Sequence, residues 1–313
     1  MQHRVFYVAL GGVAGYMLYG GFAGFGVAAV VFNMLTPLPA TYNGVRFGAE
    51  IGWLTVAATA LLILLLDATG SVVLYLIQFG LPAGVLAWLL GRGLAWDRAV
   101  MVALGSLLAA SLVGLLAYSL LEAEGPLQVA GAVIDREIGQ ATAIMDEAFR
   151  SSELPAKERQ EIAVALQRMA EFMRDVYAGL AIVVSLFMLL GQVLLLSLLS
   201  FGRYTLPGPA FQDWKAPEPL VWPLILSGFT VFLVDGPLRL LAMNLLTITL
   251  PIYFLQGLAI IDSFFRRKNF SPLLRTAGYA LLVLINPLPL LVACLGLFDL
   301  WVDFRKPKIP ESS

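Results

Sequence analysis

"LLVLINPLPLLVAC", residues 281–294, places Asn286, Pro287, Leu288 and Pro289 in the middle of an otherwise unbroken apolar run. Proline removes a backbone donor and collides with the carbonyl four residues earlier, so a helix is broken or kinked there. Asn286, with a proline behind it, is also pushed away from helical dihedrals. The charges outside the run bear on what the break means. "RRKN" at 266–269 and "RKPK" at 305–308 are both basic, and basic loops stay on the cytoplasmic side of a membrane. If both do, the chain between them enters and comes back, with Asn286 to Pro289 as its turning point. From Ser271 to Asn286 an ideal helix covers about 24 Å, short of the roughly 30 Å hydrocarbon core. A re-entrant or tilted hairpin is therefore expected. A full hairpin, and one kinked span that carries the basic tail across, remain the alternatives.

The rest of the composition supports a lipid solvent. Of 313 residues, 59% are hydrophobic and 13% charged, about half the charge of an ordinary soluble domain. No ionised side chain occurs between Arg4 and Arg46, nor between Asp67 and Arg92, and both runs exceed the roughly 20 residues that span a bilayer. The apolar sequence of the amino terminus continues past any plausible cleavage site, so it is read as an uncleaved first helix. Cys294 is the one cysteine, which leaves no pair for a disulfide and no thiolate cluster.

Apolar segments fall near 5–20, 21–41, 47–66, 71–91, 98–121, 177–202, 219–235, 238–264 and 276–304. The expected fold is an all-α polytopic transmembrane helical bundle of nine or ten membrane segments, the last one broken or re-entrant. With the first residue in the cytoplasm, Arg46, Arg92, Arg98, the stretch from Arg203 to Lys215, and 266–269 all fall on that side, as the charge rule requires. Trp53, Trp88, Trp96, Trp214, Trp222 and Trp301 fall near the same interface, where amphipathic rings collect.

Residues 122–175 carry eleven acidic and six basic groups. Leu127, Ala130, Ile134, Ile138, Ala141, Met145 and Ala148 recur at steps of three or four, and Ile162, Leu166, Met169, Met173 and Val176 do so after a break at "SSELP". This predicts an extracytoplasmic antiparallel helical hairpin, its first arm continuing the fifth span and its second leading into the sixth. Three regions result: amino-terminal membrane helices over 1–125, the hairpin over 126–175, and carboxy-terminal membrane helices over 176–313. In the amino-terminal region, Gly11, Gly15, Gly20 and Gly24 form a small-xxx-small series that lets helices approach closely in lipid. "GFAGFG" within it has no preceding strand and the wrong glycine order for a dinucleotide loop.

Backbone groups freed by proline are tolerated at membrane depth only against protein or a wet cavity. Pro82 frees the carbonyl of Gln78, and Pro251 frees that of Thr247, with Asn244, Tyr253 and Gln256 close by on the same segment. "TPLPA" at 36–40 resembles "NPLPL" at 286–290, and proline-interrupted spans in both halves point to a binding site in transporter-like folds. Gln78, Asn244, Tyr253, Gln256 and Asn286 are therefore the candidate solute-binding residues. The competing reading makes Gln78, Gln192, Asn244, Gln256 and Asn286 interhelical hydrogen-bond partners with no ligand. Asp235 and Arg239 form a local pair on this reading, and Asp262, Asp299 and Asp303 neutralise the basic helix ends.

Enzyme chemistry is mostly excluded. His3 is the single histidine, so a Ser-His dyad or an HExxH zinc site is ruled out, and no P-loop motif occurs. No cofactor, metal or nucleic-acid partner is expected.

The proline-bearing stretch after the second span, the helical hairpin, "FQDWKAPEPLVW", "NLLTITLPIYFLQGLAII" and the closing "LGLFDLWVDFR" resemble the YybS-like family of bacterial membrane proteins. That family is distantly similar to the substrate-binding subunits of energy-coupling-factor transporters. The resemblance implies a membrane-embedded small-solute binding or permease subunit in the bacterial cytoplasmic (inner) membrane, working with membrane scaffold and ATPase subunits. Both termini are expected in the cytoplasm. The alternative is a structural or regulatory membrane protein whose external hairpin recruits a partner, without transport.

Overall fold

The structure, a computed structural model, describes residues 2–20, 27–67, 69–150, 155–200 and 204–305. Residues 21–26 of the second apolar segment, with Gly24 and "GFAGFG", lie outside these, as do residues 151–154 of "SSELP", Arg203 and residues 306–308 of the basic tail. Among the described residues every regular element is helical and no strand occurs. Contacts group the chain into two units: Met1–Val133 with Val184–Gly208, and Ile134–Val183 with Pro209–Ser313.

The first unit contains α1 (Gln2–Gly20), α2 (Val27–Met34), α3 (Leu38–Phe47), α4 (Ala49–Leu66), α5 (Thr69–Tyr75), α6 (Leu81–Gly91) and α7 (Trp96–Glu122). It is built on small residues. A Cβ on Gly12 would fall 2.8 Å from that of Ala58, and one on Gly15 would fall 2.6 Å from the Thr59 hydroxyl. Gly12 and Gly15 of α1 thus serve packing against α4 of the same chain, whereas a Cβ on Gly20 would meet nothing closer than 4.0 Å. Lipid tails are as apolar as leucine, so close van der Waals contact and buried hydrogen bonds hold such helices together. Both are present: Asn43 Nδ2 donates to the Tyr7 carbonyl at 2.9 Å and to Thr55 Oγ1 at 3.1 Å. Pro82 does not end its helix. A π-helical turn, Leu76–Gly80, joins α5 to α6 just before it, and such a turn is a usual way to absorb a break in the i→i−4 ladder.

The second unit contains α10 (Val221–Leu233), α11 (Pro237–Arg267), α12 (Pro272–Leu284) and α13 (Leu288–Val302), preceded by short 3₁₀ turns at Phe211–Asp213 and Glu218–Leu220. It also holds most of α8 (Pro126–Arg150) and the amino-terminal part of α9 (Ala156–Leu199). Gly257 of α11 faces the Val292 carbonyl and Gly296 of α13 faces the Tyr253 carbonyl, each too closely to admit a Cβ. The two helices therefore cross backbone to backbone. At the opening motif α12 and α13 are bent by 103°, so the Asn-Pro-Leu-Pro stretch redirects the chain sharply. Arg267 at the end of α11 donates to the carbonyl of Arg305 just beyond α13. The chain that leaves α11 at Lys268 thus comes back to the same place.

The hairpin arms run antiparallel. Arg174 pairs with Asp135 at 2.8 Å, and Gly139, Thr142 and Asp146 face Ala170, Gln167 and Ala163 along one cleft. The second arm does run unbroken into a membrane-type helix, as the 44-residue α9. The first arm differs from expectation, because α7 and α8 are separate helices. Ala123 adopts the left-handed conformation (φ 55°), the Glu124 N–H turns back to the Ser119 carbonyl at 3.2 Å, and Pro126 starts a new helix at a position where its missing N–H costs nothing.

Ala49–Leu66, Gly70–Gly91, Trp96–Glu122, Gln160–Leu199 and Pro237–Arg267 are long and apolar enough to cross a membrane, and the bent pair Pro272–Leu284 and Leu288–Val302 makes a sixth if counted as one span. Glu218–Leu233 is apolar but shorter. The outer faces of these helices carry large aliphatic side chains, such as Leu65 at 69% and Val113 at 66% exposure, which is the pattern of a surface solvated by lipid.

Candidate functional site

Four of the five residues singled out from the sequence lie in the second unit, and Gln78 lies in the first. Gln78 sits in the π-helical turn and is exposed. Asn286 is exposed at the bend between α12 and α13. Asn244 projects from α11 onto α9, where its Oδ1 accepts from the Gly179 N–H at 2.7 Å and its Nδ2 donates to the Asp175 carbonyl at 2.6 Å. Tyr253 and Gln256, one turn apart on α11, are both fully buried. The hydroxyl of Tyr253 has no hydrogen-bond partner.

Gln256 leads into a connected polar cluster of the second unit. Its Oε1 accepts from the Ala216 N–H at 3.0 Å and its Nε2 donates to Asp299 Oδ2 at 3.3 Å. Asp299 Oδ1 accepts from the Phe304 N–H at 3.0 Å, and the Arg305 guanidinium lies 3.3 Å from Oδ2. Arg305 Nη1 donates in turn to the carbonyls of Gln212 and Trp214, at 3.1 and 2.8 Å. A second pair, Lys215 and Asp303 at 3.5 Å, lies more exposed. The segment "QDWKA" is thus clamped to the interior of α11 by the Gln256 amide and to the chain just beyond α13 by Arg305, the latter through charge-assisted hydrogen bonds, the stronger kind. Arg305 Nη2 is the nitrogen in ion-pair range of Asp299, though out of line for a hydrogen bond, while Arg305 Nε and Gln212 Oε1 are buried without hydrogen-bond partners.

Asp262, Asp299 and Asp303 each have a cation. Asp262, 4% exposed, pairs with Arg266 at 2.9 Å and accepts from the Tyr279 hydroxyl at 2.8 Å, and Asp235 lies 3.7 Å from Arg239. In the first unit, Gln192 donates to the Met34 carbonyl at 3.1 Å, where the helix is broken ahead of Pro37. Its Oε1 and the hydroxyl of Thr36 are buried without partners.

Among the described residues the second unit contains at least two clefts. One, of about 300 Å³, lies between α11 and α13 and is lined by Ile260, Ser263, Phe264, Arg267, Leu295 and Phe304 among others. The other, of about 460 Å³, runs between the hairpin arms. Neither is lined by any of the five candidate residues. Sequence reasoning missed both clefts; it placed Asp299 against a basic helix end without naming Arg305 as its partner. The pair had a faint signal in "FDLWVDFR", where an aspartate and an arginine follow an apolar run. Among the described residues no group of three or more His, Cys, Asp or Glu side chains is placed to hold a metal.

Long apolar helices with aliphatic outer faces, small-residue crossings and buried amides bonded between helices define a multi-pass helical membrane protein. The chain belongs to the family described as predicted membrane protein (DUF2232), which matches residues 16–300. No curated protein and no solved structure matches it.

Proposed function

We propose that the protein is a structural or regulatory protein of the bacterial cytoplasmic membrane whose α8–α9 hairpin, on the outer side, recruits a protein partner. The carrying observation is the hairpin surface. Residues 122–175 are strongly charged, yet Ile144 is 70% and Phe172 58% exposed. Large apolar side chains on a polar, water-facing element lose free energy in water and gain it by docking. The amides of Asn244, half-buried, and Gln256, fully buried, are engaged by the protein itself, which leaves them little to offer a solute. In this reading the nine or ten apolar segments lie at membrane depth, with both termini and the basic loops in the cytoplasm.

The test is affinity purification of the full chain from crosslinked native membranes, beside the double variant Ile144→Glu/Phe172→Glu. A partner held by the wild type and lost from an equally stable variant supports the reading. Identical sets of copurifying proteins would overturn it.

A second reading, a small-solute binding or permease subunit energised by a separate ATPase, is favoured by one observation: the Tyr253 hydroxyl is buried in the second unit without a partner. A polar solute would supply one. Native purification that yields a stoichiometric small molecule, displaced in Tyr253→Phe, together with an ATPase, would establish it over the first.

A further inference from the structure

We infer that the cleft between α11 and α13 holds the phosphate headgroup of an anionic phospholipid, with Arg267 as the cation that recognises it. The cleft combines apolar walls from Ile260, Phe264, Leu295 and Phe304 with Ser263 and Arg267, so it suits a molecule that is anionic at one end and hydrocarbon at the other. Arg267 is the last residue of a helix long and apolar enough to cross the membrane, which is the level at which headgroups lie. Arg266 is held by Asp262 and Arg305 by Asp299, whereas among the described residues no carboxylate pairs with Arg267 or Lys268, and of these two cations Arg267 is the one that lines the cleft. Its guanidinium gives a hydrogen bond to the Arg305 carbonyl, and the side chain stays exposed. A guanidinium with free N–H groups matches phosphate oxygens in geometry as well as charge. Basic pockets between membrane helices on the cytoplasmic side recognise lipid headgroups by this chemistry. A volume of about 300 Å³ takes a headgroup and the first part of one acyl chain, leaving the remainder along the lipid-facing surface.

The inference is independent of the hairpin's role. It is tested by thermal unfolding of the purified full chain in detergent, with added phosphatidylglycerol, phosphatidylcholine or inorganic phosphate, and by native mass spectrometry of the same samples. Phosphatidylglycerol should raise the midpoint by several degrees and give a one-to-one adduct, while phosphatidylcholine and inorganic phosphate should do neither. Arg267→Gln should lose both effects and Lys268→Gln should keep them. If Arg267→Gln does not fold, Ser263→Trp, which fills the cleft but leaves the arginine, should lose them instead. Equal stabilisation by phosphatidylcholine, or an undiminished adduct in a folded Arg267→Gln, would overturn the assignment. Stabilisation by inorganic phosphate alone would make this a site for a soluble anion and overturn the lipid part.

Discussion

Gly179 gives its backbone N–H to Asn244 Oδ1 at 2.7 Å, and the same side chain gives its own N–H to the carbonyl of Asp175 at 2.6 Å. Those two main-chain groups are the ones an undisturbed helix pairs with each other. The amide of α11 thus bridges the backbone of α9, and only a glycine lets it approach, because a Cβ at 179 would meet the Asn244 carbonyl oxygen at 2.7 Å.

Asn244→Leu should therefore cost about 1 kcal/mol, within the range of interhelical hydrogen bonds in membranes. Gly179→Ala should cost more, about 1–3 kcal/mol, because it overpacks the crossing and displaces the amide as well. Reversible unfolding in mixed micelles measures both. A Gly179→Ala variant as stable as the wild type would show that the close approach does not hold these helices.

Asp299 and Arg305 should behave as a buried pair. Their side chains are 0% and 9% exposed, so removing one partner leaves a charge without compensation, at a cost of about 3–5 kcal/mol. Asp299→Leu with Arg305→Met should cost less than either change alone. A double-mutant cycle decides it, and additive losses would mean that the two residues act separately.

Asp135 and Arg174, by contrast, should contribute little. Both side chains are more than half exposed, and solvent screening leaves such pairs about 0–1 kcal/mol. Asp135→Ala is expected to melt within measurement error of the wild type, as monitored by far-ultraviolet circular dichroism. A drop of several degrees would point to a structural role for the pair.

The proposed orientation predicts a labelling pattern. On a Cys294→Ala background, Ala143→Cys in the hairpin should react with an impermeant maleimide added to intact cells. Lys268→Cys, next to the basic end of α11, should react only after permeabilisation. The reverse pattern would invert the topology.

Much of the fold was legible in the residue order because the quantities involved are local. Apolar run length sets which segments partition into lipid, and proline sets where a helix breaks. The interruptions at Pro37 and at Asn286 to Pro289 both appear as breaks, while Pro82 is absorbed by a π-helical turn because the chain on either side stays apolar and packed. The end of α7 was overlooked: Ala123 in the left-handed conformation leaves no mark, but Gly125 and Pro126 just beyond it are a usual stop signal.

The candidate site was legible only in kind. That lipid drives polar groups such as Asn244, Gln256 and Asp299 to find partners follows from the cost of leaving them unpaired. Which partners they find is decided by helix crossings. Asn244 meets Gly179 across 65 residues and Gln256 meets Asp299 across 43, distances over which no periodicity or spacing carries information. The amino-acid order by itself thus determined the solvent, the helical segments and their main interruptions, each a sum over neighbouring residues. The tertiary structure alone decided which amides bond to protein, that Arg267 meets a carbonyl rather than a carboxylate, and where the clefts lie, because these depend on how closely separate helices approach.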